Sequence, residues 1–212
     1  MNTQQRLNNI FRILLEAFGP RKWWPGETQL EVIVGAMLTQ NTSWKNVERA
    51  IRNLKAKKLL DIKRLYYAAP ALLSDVIRPA GYFNIKARRL KNVVAVLYEH
   101  YSGDIERLAS LGVSELRNIL LAINGIGPET ADSIMLYAFD KPVFVVDAYT
   151  KRFLKNHRLY NGESYEDVQA YFMKNLPADV YLYNEFHALI VLLCQRYCKK
   201  TPMCHECPLR NS

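Results

Sequence analysis

Apolar residues recur at three- and four-residue intervals along nearly the whole chain, so helix is the expected state almost everywhere. Leu7, Ile10, Phe11, Leu14, Leu15 and Phe18 mark a first amphipathic helix, closed by Gly19-Pro20. A second starts near Thr28 and carries Leu30, Ile33, Val34, Met37 and Leu38 on one face. Further helices are expected over residues 43–54, 72–77, 85–101, 114–122, 128–139, 150–157, 165–176 and 180–197. Pro128 suits a first helical turn, where its missing N–H costs nothing. Residues 143–146 form the one β-like run, and it is short. The pattern predicts an all-α protein.

Composition adds a core and a partner. The chain has 212 residues, half of them hydrophobic, which is enough to bury a core and argues against disorder. A formal charge of +9 points to a polyanionic partner, nucleic acid first. Lys55, Lys57, Lys58, Lys63 and Arg64 form one basic group, and Lys86, Arg88, Arg89 and Lys91 another. No stretch approaches the roughly 20 apolar residues of a membrane helix, and no secretory pattern opens the chain, so a cytosolic protein is expected. Cys194, Cys198, Cys204 and Cys207 all lie within the last 19 residues. In a reducing compartment such a cluster reads better as metal ligation than as disulfides.

The chemistry concentrates at residues 123–131, INGIGPETA, followed by Val145-Val146-Asp147. Gly125 and Gly127 permit a tight turn with exposed backbone N–H groups. The helix after them presents its N-terminus, a natural phosphate site. Asp147 follows that helix and is either an acid beside a captured strand or a plain N-cap. Trp23-Trp24-Pro25 falls in a loop and Trp44 early in a helix. These rings either plug a junction or form a stacking slot for an extruded base.

With these residues in view, the chain resembles the endonuclease III superfamily of helix-hairpin-helix DNA glycosylases, from about residue 28 to its end. The carriers are Leu38-Thr39-Gln40-Asn41-Thr42, Gly81-Tyr82-Phe83-Asn84-Ile85-Lys86-Ala87, the hairpin with Asp147, and the terminal cysteines. The resemblance implies a two-lobed all-α fold: a six-helix bundle over residues 28–141, and a second lobe from residues 1–27 plus 142–212 that carries the cysteine cluster. The substrate cleft is expected between the lobes. It further implies a base-excision-repair enzyme that acts on double-stranded DNA containing a damaged base, as a monomer with no membrane association. A cytoplasmic, nucleoid-associated place in a prokaryote follows from the same likeness.

One departure narrows the activity. Bifunctional members carry a lysine two residues after the second hairpin glycine and use it to form a Schiff base. This chain has Glu129 there, and a carboxylate cannot do that chemistry, so a monofunctional glycosylase is expected. Trp23, Trp24, Pro25, Trp44 and Glu129 are similar to the bacterial 3-methyladenine DNA glycosylase branch, which sandwiches an alkylated purine between aromatic rings. A cationic purine is attracted to an indole face.

By the same likeness Asp147 stays ionised near C1′, orienting a water or stabilising the cationic sugar. Glu129 joins Asp147 in the catalytic set, lining the pocket mouth or hydrogen-bonding the base, or is a solvated helix-start acid, and Asp132 is the latter. The Gly125, Ile126, Gly127 and Thr130 amides, with Asn41 and Lys86, hold phosphates. Gln40 inserts into the duplex, or is only a helix C-cap. Cys198, Cys204 and Cys207 match three family ligands with one residue deleted, and Cys194 supplies a fourth. The set suits a [4Fe–4S] cluster, with zinc as the alternative. His187 reads as a packed core histidine and His205 as a surface one. The competing functions are an endonuclease III-like glycosylase/AP lyase for oxidised or mismatched bases, and a non-catalytic DNA-binding module.

Overall fold

One helix in the middle of the chain is buried along almost its whole length and organises what surrounds it. The computed structural model describes residues 2–210. These residues contain twelve α-helices and no strand. Contacts divide the chain into a middle unit, Trp24–Phe139, and a terminal unit, Met1–Trp23 with Asp140–Ser212. The expected boundaries were 28–141 for the former, and the middle unit carries eight helices where six were expected.

In the middle unit α2 (Gln29–Leu38) has every residue from Leu30 to Leu38 buried. It packs against α3 (Trp44–Ala56), α6 (Phe83–Tyr101) and α9 (Pro128–Phe139). A helix that is apolar all round belongs inside. Thr28 caps α2 by accepting from the Glu31 N–H at 3.1 Å. The periodicity missed α4 (Ile62–Tyr67) and α7 (Ile105–Ala109), because six and five residues span too few turns to show a stripe. Each does have an aspartate N-cap, Asp61 and Asp104. Between them in sequence lies α5 (Pro70–Val76), which packs on α6 with α4. The last pair, α8 (Val113–Ala122) and α9, makes the hairpin.

In the terminal unit α1 (Thr3–Phe18) packs on α11 (Tyr165–Asn175) and α12 (Val180–Arg196), and α10 (Ala148–Asn156) packs on α12. The β-like run Val143, Phe144, Val145 and Val146 is fully buried but joins no sheet. Side chains satisfy its backbone instead: Gln169 donates to Phe144 O at 2.8 Å, and Val146 N donates to the Tyr165 hydroxyl at 3.4 Å. Phe144 stacks on Phe172 at 3.9 Å and meets Tyr183 and Phe186 edge-on. β-branched and aromatic residues here serve a core strut, which explains the strand-like signal. The buried Glu185 accepts from the Arg21 and Lys22 N–H groups at 2.6 and 2.7 Å and so fixes the segment before Trp23. Among the described residues no helix is long and apolar enough to cross a membrane.

Candidate active site

The hairpin turn is held from two sides. Gly125 has φ +102, a conformation L side chains rarely adopt, and a Cβ there would collide with the Arg89 side chain. Gly127 is exposed, with nothing within 4 Å of where its Cβ would be. Only the first glycine is therefore demanded by the chain itself; the second leaves open space over the turn. Ile126 is buried. Gln40 Nε2 donates to Gly125 O and to the Thr130 hydroxyl, each at 3.1 Å, and Gln40 Oε1 accepts from Arg89 at 2.5 Å. Asn92 donates to Asn124 O at 2.9 Å. The turn is thus braced by the end of α2 and by one face of α6. Arg89 and Asn92 stand three residues apart on α6, a spacing that puts them on one face.

These contacts revise three expectations. Gln40 is committed to the hairpin by three bonds, while its neighbour Asn41 is exposed with φ +52. Lys86, expected at phosphates, is only 3% exposed, and its ammonium donates to Leu38 O at 2.9 Å and Ala80 O at 2.7 Å. It ties the end of α2 to the turn before α6 in place of a direct phosphate contact, and burial pushes its pKa down to about 8. Asp132, expected to be solvated, is fully buried and takes both Nε and Nη2 of Arg117 at 2.8 and 3.1 Å. That pair locks α8 to α9. Thr130 is buried too, with its hydroxyl facing Gln40. Glu129 is exposed in the first turn of α9.

An aromatic group lies in the same unit. The Trp24 indole lies over Gly35, where any Cβ would meet its Nε1 at 2.9 Å, so α2 needs glycine at that point. Trp44 meets Trp24 edge-on at 5.0 Å, and Tyr137 of α9 lies 5.3 Å away at 43°. The Trp44 N–H donates to Glu48 at 2.9 Å. Tyr137 was not expected; nothing in its periodicity separates it from ordinary core positions. Trp23 is half-buried at the end of the terminal unit's first segment, and Pro25 is exposed.

Asp147 begins α10 as its N-cap. Its Oδ1 accepts from Thr150 N at 2.7 Å and from the Thr150 hydroxyl at 2.9 Å. Its Oδ2 lies 3.7 Å from His187 Nε2. Burial works to raise the carboxyl pKa, but His187 beside it and the two bonds from Thr150 outweigh that and hold it below the usual carboxylate range. His187, read from sequence as a packed core residue, is buried and also a neighbour of the acid.

At the end of the chain Cys198, Cys204 and Cys207 line a cavity of about 290 Å³ together with Asn156, His157, Tyr197, Pro202, Leu209 and Arg210. Asn156 donates to Cys198 Sγ at 3.2 Å. The Cys194 thiol, with His157 and Asn156, pushes the Cys198 pKa well down against its burial; the same contact with Cys198, and burial, push Cys194 up. Cys194 does not line the cavity. It is fully buried and directs its thiol at Tyr149 O, 3.5 Å away. Among the described residues no three His, Cys, Asp or Glu side chains form a ready site for one metal ion. Three cysteines on this cavity, with the Cys194 thiol in contact with Cys198, are nonetheless the four thiol donors a [4Fe–4S] cluster takes, so the residues fit that group.

Residues 34–178 match the family model of HhH-GPD superfamily base excision DNA repair proteins. A protein of Methanocaldococcus jannaschii, provisionally named a DNA repair glycosylase, is 48% identical over 99% of this chain and 96% of its own length. Among solved structures, 3-methyladenine DNA glycosylase of H. pylori bound to 1,N6-ethenoadenine aligns with a TM-score of 0.78 and 29% identity, over 90% of this chain and 96% of that one. A trapped endonuclease III–DNA covalent intermediate aligns with a TM-score of 0.82 over 99% of this chain and 94% of that one, at 22% identity, a likeness of fold alone.

Proposed function

Since the chain belongs to the HhH-GPD superfamily of base excision DNA repair proteins and is a DNA glycosylase of that family, we propose that it removes alkylated purines, 3-methyladenine first, from duplex DNA by hydrolysis without cutting the strand. The observation that carries the substrate class is the aromatic group of Trp24, Trp44 and Tyr137, set over Gly35. An electron-rich indole face suits a cationic methylated purine, and the structural neighbour that binds 1,N6-ethenoadenine supports a modified adenine. Glu129 at the position of the lyase lysine supports hydrolysis alone.

In this mechanism the hairpin holds the DNA backbone. Gly125, Ile126 and Gly127 present the turn and α9 its N-terminus, and the open space over Gly127 admits a phosphate group closely. Such contacts position the protein and carry no sequence information. Asn41, exposed and left-handed, fills the gap left by the extruded nucleotide, while Gln40 keeps the turn rigid. Asp147, ionised and fixed by Thr150, faces the sugar. As C1′ loses the base it gains positive charge, which the carboxylate stabilises, and Asp147 then orients the water that attacks C1′ and accepts its proton. The bond broken is C1′–N; the products are the free base and an abasic site.

Cys198, Cys204 and Cys207, with Cys194 beside Cys198, would hold a [4Fe–4S] cluster at this cavity. When bound, the cluster supplies a structural cross-link, and no step of the hydrolysis passes through it. Replacing Trp24 by Ala tests the slot. Loss of one stacking face costs about 1–3 kcal/mol for a held base, so excision of 3-methyladenine falls while binding to undamaged duplex stays near the original. Equal losses in both assays would make Trp24 a packing residue and withdraw the slot.

A further inference from the structure

The Trp44 indole N–H is held by an acid, the Glu48 carboxylate, at 2.9 Å. We infer that Glu48 is a specificity-determining residue: bonded to Trp44, its negative charge makes the aromatic slot favour a cationic base over a neutral damaged one. This role rests on the proposed reading that the group around Trp24 and Trp44 receives the extruded base, and it gives that slot's preference for charge a residue of its own.

Geometry puts the carboxylate beside the ring. Trp44 opens α3 and Glu48 follows it by four residues, so the two side chains share one face of the helix. The bond fixes the tilt of a half-buried ring that meets Trp24 edge-on at 5.0 Å. The loop that carries Trp24 is tied to the same helix. Lys55 of α3 bridges Glu27 and Glu31, 2.9 Å from each, and Glu31 also accepts from the Glu27 N–H at 3.2 Å. α3 therefore positions both rings. The acids around them differ in how their charge is met. Glu27 and Glu31 share the Lys55 ammonium, whereas among the described residues no cation forms an ion pair with Glu48. Lys45 and Arg52, three residues before it and four after, are exposed and leave its carboxylate to Trp44.

The chemistry gives the effect a sign. A purine methylated at N3 carries positive charge in its ring while it is still joined to the sugar. An indole face attracts such a cation. A carboxylate accepting from the indole N–H forms a charge-assisted bond and adds a negative charge at the rim of the ring. A neutral base such as 1,N6-ethenoadenine gains the stacking alone. When the C1′–N bond breaks, both of its electrons go to the base, which leaves neutral, and the positive charge passes to the sugar. Glu48 therefore acts on the bound base before the chemical step, so it aids recognition and does not speed bond breaking. Its loss should raise the half-saturating concentration and not lower the maximal rate.

The test uses the full chain in single-turnover excision of 3-methyladenine from methylated duplex. Affinities for undamaged duplex and for duplex holding 1,N6-ethenoadenine are measured in parallel. Glu48→Gln keeps an oxygen to accept from Trp44 and removes the charge. It should raise the half-saturating concentration for 3-methyladenine about 2–5-fold, the size of a cation–ring contact at an exposed site. The maximal rate should not fall, and both control affinities should stay as they were. In a Trp44→Phe chain, where Glu48 has no N–H to accept from, the same substitution should have a smaller effect. An equal shift on methylated and control duplexes would reduce Glu48 to a support for the ring and overturn the assignment. No shift, a fall in the maximal rate alone, or an undiminished effect beside Phe at position 44 would overturn it too. An unmodified chain that releases no 3-methyladenine overturns the proposed function itself and this role with it. That outcome is visible before any variant is made.

Discussion

One oxygen of Asp147 is committed to Thr150, and the other faces His187 at 3.7 Å. Asn caps helices about as well as Asp, so Asp147→Asn preserves the start of α10 while removing the charge. Excision by the variant should fall roughly 10²–10⁴-fold, the range of a positioned acid–base group, with duplex binding retained; excision at the original rate would remove Asp147 from the mechanism. The carboxyl is depressed below the ordinary range, so the stability it contributes is present above the ordinary carboxylate pKa and is lost as pH falls through the lowered one. The acid limb of the single-turnover rate should accordingly lie below the ordinary carboxylate range. His187→Gln leaves burial less opposed and should move that limb to higher pH. A limb that does not move would mean that His187 only fills space. Asp147 stands out in the sequence by its place after the hairpin. Its histidine does not, because 40 positions separate them and only the packing of α10 on α12 brings them together.

At the scale of elements, the hairpin is a pair of helices locked by one buried ion pair and one braced turn. Removing the arginine leaves the Asp132 carboxylate buried beside an apolar chain, a loss of about 3–5 kcal/mol for such pairs. Arg117→Met should therefore lower the unfolding free energy by about that amount in urea titration; a change below ~1 kcal/mol would show that α8 and α9 hold together by apolar packing alone. The long helices were legible because each repeats its stripe over several turns. The brace was not: Gln40, Arg89 and Asn92 carry no periodic signal, and their roles arise from side chains that cross between elements. Asp132 was misread for a related reason, since an acid near a helix start normally faces water. The buried 143–146 run gave a true signal of apolar burial with the wrong secondary structure, because side chains of α11 replaced the sheet partners.

At the scale of the molecule, a charge of +9, a braced hairpin turn and a carboxylate fixed by Thr150 beside His187 suit the proposed grip on DNA and chemistry at a sugar. The family and the fold were legible because the hairpin, the later aspartate and the cysteines keep their order along the chain. The most direct measurement of the central claim is to incubate the protein with methylated duplex DNA, identify released bases by chromatography, and run the DNA with and without alkali and with borohydride. Free 3-methyladenine, strand breaks only after alkali and no trapped protein–DNA adduct are the expected results. Direct strand cutting with an adduct trapped by borohydride would contradict the account and place an amine, not Asp147, at C1′.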